Sequence, residues 1–156
     1  MSLYGHYDSQ NIFALILRGE APSYKVYEDA DVLAFLDVFP QSLGHILVIP
    51  KECQARNILD VEPAVLGTMM SAVQQLTRVV LDELKPDGVQ IVQFNGAAAG
   101  QTVYHIHIHI IPRWDGEGLG VHAKDRADPA ELETLQARLV ERIHSNRLAS
   151  PMLERC

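Results

Sequence analysis

Three histidines alternate with isoleucine in residues 104–112, and this run constrains the fold more than any other part of the sequence. Successive side chains of a β-strand point to opposite faces, and isoleucine favours a strand that is buried on one side. The run therefore predicts a strand with imidazoles on one face and isoleucines on the other. The imidazoles are those of His105, His107 and His109. An imidazole can act as an acid, a base or a nucleophile near neutral pH.

Composition limits the kind of protein that can carry this strand. The chain has 156 residues, of which 47% are hydrophobic, so we expect a single globular domain over residues 1–156. It contains no apolar run of the ~18 residues that a membrane span needs and no signal-peptide pattern. Only Cys53 and Cys156 carry thiols, which predicts no disulfide framework and is typical of a cytoplasmic protein.

The net charge of −7 argues against nucleic acid as a partner, because an acidic domain repels a phosphate backbone. A small phosphate ligand is still permitted, since local groups can bind it. Arg113, just after the histidine run, is predicted to be a solvated charge at the rim of a site.

Periodicity and turn residues predict an α+β fold with a single antiparallel five-stranded sheet. The predicted strands are 25–28, 32–36, 45–49, 89–94 and 105–111, and a short helix covers 11–18. Asp60 is expected to cap a long helix with Pro63 in its first turn and with Met69 or Met70 on the core face. Asp128 is expected to cap a C-terminal helix over about 128–147, and an irregular glycine-rich segment, 114–120, precedes it.

The alternating histidines admit three interpretations. They could be the polar face of an ordinary strand, the His-x-His part of a metal site, or the nucleophile and acid of a group-transfer enzyme. The neighbouring residues Gly100, Gln101 and Thr102 favour group transfer. They offer backbone access and neutral donors suited to a developing oxyanion, and they are poor metal ligands.

Two separated motifs resemble the histidine triad family. The first is the run from Gln101 to Ile111, which matches the pattern His-φ-His-φ-His-φ-φ with φ apolar. The second comprises Val32-Leu-Ala-Phe-Leu-Asp37 and Pro40-Gln-Ser-Leu-Gly-His45-Ile-Leu-Val-Ile-Pro-Lys51, which is similar to the nucleoside-binding half of the family. The resemblance covers about residues 11–113.

The resemblance implies a homodimer in which the sheet continues across the two subunits and each subunit binds a purine nucleotide. His107 would attack the α-phosphorus, His109 would contact the phosphate and help to protonate the leaving group, and His105 would orient the row. Gln101 would assist catalysis. The remaining implied contacts are Asp37 to the ribose, Asn95 and Thr102 to phosphate or leaving group, Phe13, Phe35, Val38 and Leu47 around the base, and His45 as a hydrogen-bond neighbour of His105.

One departure from the family concerns zinc. Many bacterial members have Cys-Ile-Phe-Cys near the start, and the two cysteines join two histidines in a structural zinc site. This chain has Asn11-Ile-Phe-Ala14, so His45 and His105 would remain as too few ligands for a closed site. We therefore expect no metal and no cofactor.

The resemblance leaves the reaction open. The leading interpretation is a hydrolase or nucleotidyl transferase that acts on phosphoramidates or acyl-nucleotides of a purine nucleoside monophosphate. The alternatives are a dinucleoside polyphosphate hydrolase and a nucleotide-binding regulatory protein whose turnover is incidental.

Overall fold

The computed structural model describes residues 2–118 and 125–149, with no side-chain placement for 148 and 149. Its helices are α1 (Ile12–Leu17), α2 (Pro63–Leu84) and α3 (Pro129–Ala149), with one short 3-10 turn at Ala97–Ala99. Its strands are β1 (Lys25–Glu28), β2 (Val32–Leu36), β3 (Ile46–Pro50), β4 (Gly88–Val92) and β5 (Ile108–Arg113). The predictions for Leu119, Gly120 and Cys156 lie outside the described residues.

The five strands form one antiparallel sheet in the order β1-β2-β3-β5-β4. The predicted α+β fold with a single antiparallel five-stranded sheet is thus confirmed. In this order β5 lies between β3 and β4, and His109 is opposite Leu47 on one side and Val92 on the other. The histidine strand is therefore internal, and neighbours on both sides fix its position.

The two faces of the sheet carry different apolar clusters. One face packs against α2 and α3 and contains the alternate residues Ile106, Ile108 and Ile110. The opposite face of β2 and β3 packs against α1, through residues that include Phe13 and Phe35. The isoleucines of the alternating run therefore face the main core, as predicted, and the intervening histidines face the side of α1.

Helix ends confirm the predicted cap at Asp128, correct the one predicted at Asp60 and show a further cap at Asn11. The Asn11 side chain accepts hydrogen bonds from the first turn of α1, and Asp128 Oδ1 accepts from the N–H of Ala130. Asp60 does not cap α2, which begins at Pro63 after Glu62 with no side-chain cap bond. Asp60 instead accepts the backbone N–H of Arg56, because Pro63 at the first helical position already fixes the start of the helix.

Three strands have bounds that differ from the prediction, and one of them is β3, which covers Ile46–Pro50 rather than 45–49. β5 begins at Ile108 rather than at residue 105, and β4 covers Gly88–Val92 rather than 89–94. Residues 105–107 are still tied to the fold by the bond from Ile106 N–H to the carbonyl of Ala55. His105 and His107 therefore precede the regular ladder. In this stretch, outside the strand pairing, their backbone groups can bond to side chains.

Among the described residues, no helix combines the length and apolar character that crossing a membrane requires. The longest, α2, is an amphipathic helix that packs against α3 and the sheet.

The core face of α2 gives a stability prediction. Met69 is fully buried, whereas its neighbour Met70 is 46% exposed. Met69→Ala should lower the free energy of unfolding by about 2–5 kcal/mol, because it removes buried apolar volume and leaves a cavity. Met70→Ala is the matched control and should cost less than about 1 kcal/mol. Urea denaturation measures both, and equal losses would contradict this placement of α2.

Candidate active site

A cavity of about 660 Å³ opens on the α1 side of the sheet. Its walls come from α1, from the β2–β3 connection and from the histidine run. The predicted site residues that line it are Phe13, Phe35, Asp37, Val38, His45, Leu47, Thr102, His107 and His109. The fold thus brings together two sequence motifs that lie more than fifty residues apart in the chain.

His107 is held by the main chain. Its Nδ1 lies 2.7 Å from the carbonyl oxygen of His105, and its ring packs edge-on against Phe13 at a centroid distance of 4.9 Å. A carbonyl only accepts, so Nδ1 must carry the proton and Nε2 must keep its lone pair. Burial lowers the pKa of His107, which favours the neutral ring that this tautomer requires.

His109 has the opposite tautomer. The N–H of Gln41 donates to His45 Nδ1 at 3.0 Å, so the proton of neutral His45 sits on Nε2. His45 Nε2 lies 2.8 Å from His109 Nδ1, which therefore accepts, and the proton of His109 sits on its own Nε2. The prediction that His45 neighbours His105 is wrong, because His45 precedes β3, whose register brings this end towards His109.

His105 has two other partners. Its Nδ1 lies 2.5 Å from the hydroxyl of Tyr7, and its Nε2 lies 3.1 Å from the carbonyl oxygen of Pro50. It is buried and does not line the cavity. The structure therefore separates His105 from the two rings that a ligand can reach.

Asp37 lies at the end of β2 on the cavity wall. One carboxylate oxygen accepts the N–H of Phe39 at 2.9 Å, and the other lies 3.7 Å from His45 Nε2. Burial raises the pKa of Asp37 to about 6. Above that pH the carboxylate is ionised, and one oxygen holds the turn while the other is available at the cavity.

Gln101 and Asn95 are not brought to the cavity. Gln101 is buried, accepts from Gly96 N–H and donates to the carbonyl of Arg56. Asn95 exchanges amide hydrogen bonds with Gln93 and accepts from Ile58 N–H. Both amides stabilise the loop before the histidine run, and their predicted ligand contacts remain predictions.

Arg113 is not a solvated rim charge, which corrects the prediction. It is 9% exposed, and its guanidinium donates to Gln90 Oε1 and Gln41 Oε1. It also contacts the carbonyl oxygen of Gln41 at 3.4 Å. Arg113 thereby helps to fix the residue whose N–H sets the tautomer of His45.

The residues at the expected zinc position do not fit a zinc ion. Asn11 uses its side-chain oxygen to cap α1, Ala14 is a buried apolar residue, and both ring nitrogens of His105 are hydrogen-bonded within the protein. A zinc ligand needs a lone pair on nitrogen, sulfur or a carboxylate oxygen directed at the metal, and these residues offer none.

A second group of candidate ligands lies in the cavity. Donor atoms of Asp37, His45 and His109 lie within 4.8 Å of one another. His45 cannot ligate through Nε2 while Gln41 donates to its Nδ1, because Nε2 then carries the proton. The hydrogen-bond chain therefore accounts for this cluster better than a cation does.

Several cavity residues were not predicted from the sequence. They are Ile12, Ile16, Pro22, Ser23, Leu36, Phe39, Gln41, Phe94, Val103 and Arg126. The 3.6-residue period of α1 could have placed Ile12 and Ile16 beside Phe13. No local signal marks Arg126, which is brought to the cavity by the bond from Ala127 N–H to the carbonyl of Val38.

The chain matches the family model described as the HIT domain over residues 18–116. It is 40% identical over 139 residues to Protein hit of Bacillus subtilis, covering 86% of this chain and 95% of that protein. It is 34% identical over 140 residues to a protein named adenylylsulfatase HINT3 from Arabidopsis thaliana, covering 90% and 71% of the two chains.

Solved structures show the same fold. A Hit-like protein from Bartonella henselae superposes with a TM-score of 0.80 at 42% identity, covering 88% of this chain and 99% of that one. A zinc-bound histidine triad family protein from Mycobacterium smegmatis superposes with a TM-score of 0.80 at 34% identity, covering 90% and 98%.

Buried neutral histidines predict a particular dependence of stability on pH. Burial lowers the pKa of His45 to about 3, helped by the charge of Arg113 and by His107, and burial lowers the pKa of His105 to about 4. Below pH 6.5, these two histidines therefore bind protons in the unfolded chain but stay neutral in the folded chain. The contribution of these neutral histidines to the free energy of unfolding is complete above pH 6.5 and is lost as the pH falls towards 4.

Between pH 6.5 and pH 5, each of these histidines should cost about 2 kcal/mol of unfolding free energy. Asp37 acts in the opposite direction, since its raised pKa stabilises the fold as the pH falls below 6. His45→Gln should reduce the loss over this pH interval by about 2 kcal/mol. His144 is exposed, and His144→Gln should leave the loss of unfolding free energy over this interval unchanged. If both variants showed the same dependence of unfolding free energy on pH, His45 would not be a source of the loss.

Proposed function

The chain belongs to the HIT domain family, and from that premise we propose that it is a nucleotide-binding hydrolase or nucleotidyl transferase. Its reaction cleaves the α-phosphate linkage of purine nucleoside 5′-monophosphate derivatives, with phosphoramidates and acyl-nucleotides as the substrate class. A nucleotidyl-histidine is the intermediate.

The observation that carries the proposal is the tautomer of His107. Its Nδ1–H is bonded to the carbonyl of His105, so a cavity-lining ring has a lone pair on Nε2 at neutral pH. A neutral imidazole with its far nitrogen fixed is ready to act as a nucleophile without losing a proton. Nε2 forms the bond to phosphorus, and the leaving group departs with the electron pair of its own bond.

His109 supports departure of the leaving group. Its ring centroid lies 4.9 Å from that of His107, and its proton is on Nε2. Nε2–H can hydrogen-bond to the leaving atom while charge develops there. A leaving amine takes up a proton through this contact, and a carboxylate needs none. Water then attacks phosphorus and breaks the bond to His107. The proton that water releases restores His109 after an amine has left, and it passes to solvent after a carboxylate has left.

The rest of the cavity suits a nucleoside. Phe13, Phe35 and Leu47 provide apolar walls for a base, and Asp37 has a carboxylate oxygen for the ribose hydroxyls. Thr102 is exposed at the cavity and offers a hydroxyl to the phosphate or leaving group. Charge-assisted bonds from one carboxylate to two hydroxyls would fix the sugar and thus the position of phosphorus relative to His107.

The relative named adenylylsulfatase supports nucleotide hydrolysis as the reaction class. Steady-state rates on an adenosine phosphoramidate, an acyl adenylate, adenylylsulfate and a diadenosine polyphosphate would define the leaving group. We expect turnover of the phosphoramidate or acyl adenylate to exceed that of the diadenosine polyphosphate. The reverse order would assign the chain to dinucleoside polyphosphate hydrolysis, and binding without turnover would indicate a regulatory protein.

The proposal includes a homodimer in the cytoplasm. β4 is an edge strand of the described sheet and carries the 41% exposed Ile91. Pairing of this edge region with a second copy would extend the sheet and cover that surface. The free thiol of Cys53 is compatible with a reducing compartment.

The nucleophile gives the first functional prediction. His107→Asn should abolish turnover of an adenosine phosphoramidate, with a loss of at least about 10³-fold, because an amide cannot form the covalent intermediate. Adenosine monophosphate should bind within about threefold of the wild-type affinity, since the ring is replaced by a polar group. His144→Asn, in the exposed part of α3, is the control and should be fully active.

Turnover by stopped assay and binding by calorimetry separate the two effects. Trapping of a labelled nucleotide on wild-type protein but not on His107→Asn would support the intermediate directly. A His107→Asn protein with near-wild-type rate would exclude this mechanism.

The ribose contact gives the second functional prediction. Asp37→Asn should weaken adenosine monophosphate binding by about 1–2 kcal/mol, because the amide cannot make two charge-assisted bonds. The loss should be smaller for 2′-deoxyadenosine monophosphate, which already lacks one hydroxyl. Asp31→Asn, at the opposite end of β2, is the matched control and should bind both as wild type does. If Asp37→Asn weakened the binding of both nucleotides equally, Asp37 would stabilise only the turn at Phe39 and would not bind the ribose.

A further inference from the structure

The segment before α1 is bonded to the loop that precedes the histidine run, to the connection between β3 and α2, and to His105. Ser2 Oγ accepts the N–H of Ala97 at 2.9 Å, and the carbonyl of Leu3 accepts from Asn57 Nδ2 at 2.9 Å. Tyr7 then reaches His105 across 98 positions of sequence. The Tyr7 and His105 rings also meet edge-on, with their centroids 5.7 Å apart.

The proton positions in this contact follow from the partners. The carbonyl of Pro50 can only accept, so His105 Nε2 carries the proton of the neutral ring. His105 Nδ1 is then an acceptor, and the Tyr7 hydroxyl is the donor. Both edges of the His105 ring are therefore held, one by a side chain and one by the main chain.

The same residue supplies the acceptor for His107. The peptide unit between His105 and Ile106 is held at its N–H by the carbonyl of Ala55, at 2.9 Å. Its carbonyl oxygen receives the Nδ1 proton of His107 at 2.7 Å. Because this peptide precedes β5, no strand partner holds its oxygen, and the anchored ring of His105 restricts how the peptide can rotate.

We propose that Tyr7 is a positioning residue for the nucleophile: its hydroxyl locks the ring of His105, keeps the His105 carbonyl directed at His107 Nδ1, and so keeps the lone pair of His107 on Nε2. This inference rests on the proposed function only in giving His107 the nucleophilic role. Tyr7 and His105 do not line the cavity, so their effect is on the state of His107 and not on ligand contact.

The test compares Tyr7→Phe with wild type. Phenylalanine keeps the ring contact with His105 and removes the hydroxyl, which donates to His105 and also interacts with the Asn11 side chain. The kcat for an adenosine phosphoramidate should fall about tenfold, in line with loss of one positioning hydrogen bond, while the Kd for adenosine monophosphate stays within about twofold. Tyr4→Phe is the matched control, because Tyr4 is 72% exposed, and it should keep both values.

Nitrogen-15 NMR of the histidine rings reads the mechanism without turnover. Wild-type His107 should carry its proton on Nδ1, and Tyr7→Phe should raise the Nε2–H fraction of that ring. An unchanged tautomer and unchanged kcat in Tyr7→Phe would overturn the proposal. A parallel loss of kcat and nucleotide affinity with an unchanged tautomer would also overturn it, because that pattern belongs to general destabilisation.

The wild-type spectrum is a check that needs no variant. His105 must hold its proton on Nε2, and a proton on Nδ1 overturns the proposal even if Tyr7→Phe fails to fold. Absence of turnover in the wild type would refute the proposed function, whereas the tautomers of His105 and His107 would still decide the part played by Tyr7.

Discussion

Burial of the isoleucines at 106, 108 and 110 is the interaction on which the site depends. Each is nearly inaccessible, and each packs into the cluster formed with α2 and α3. Burying such a side chain contributes roughly 1.5–3 kcal/mol, so a shift of one residue would remove all three from this cluster and place polar rings in it. The alternation therefore fixes which side of the sheet His107 and His109 occupy, and it places them beside α1.

The same features that fix this run were readable from the sequence. Period-two alternation indicated the orientation of the histidine segment, and the capping residue Asp128 marked the start of α3. Apolar spacing indicated the core face of α2, although only the structure distinguishes Met69 from Met70. These signals are local, because each depends on residues within a few positions of one another, and local rules are what a single sequence encodes most directly.

The parts that sequence reasoning missed depend on contacts between distant segments. The predicted hydrogen-bond partner of His45 is wrong because that partner depends on the register of β3 against β5. The prediction of Arg113 as a rim charge is wrong because its partners, Gln41 and Gln90, lie far from it in sequence. Tyr7 carries no motif at all. The predicted strand 105–111 begins too early for a related reason. Alternation predicts an extended backbone, but pairing with β3 begins only at Ile108.

The arrangement assigns different chemistry to two neighbouring rings through hydrogen bonds that begin at main-chain groups. A main-chain carbonyl accepts from His107 Nδ1, whereas His109 Nδ1 accepts from His45 Nε2–H, because the N–H of Gln41 occupies His45 Nδ1. The first ring is left with a lone pair on Nε2 and the second with a proton there, at a centroid separation of 4.9 Å. Main-chain groups do not titrate, so this division holds for as long as the rings stay neutral. Burial lowers the pKa of His45 and of His107 and thereby favours the neutral form of these two rings. The fold thus sets nucleophile and donor by the direction of hydrogen bonds that the buried backbone must make in any case.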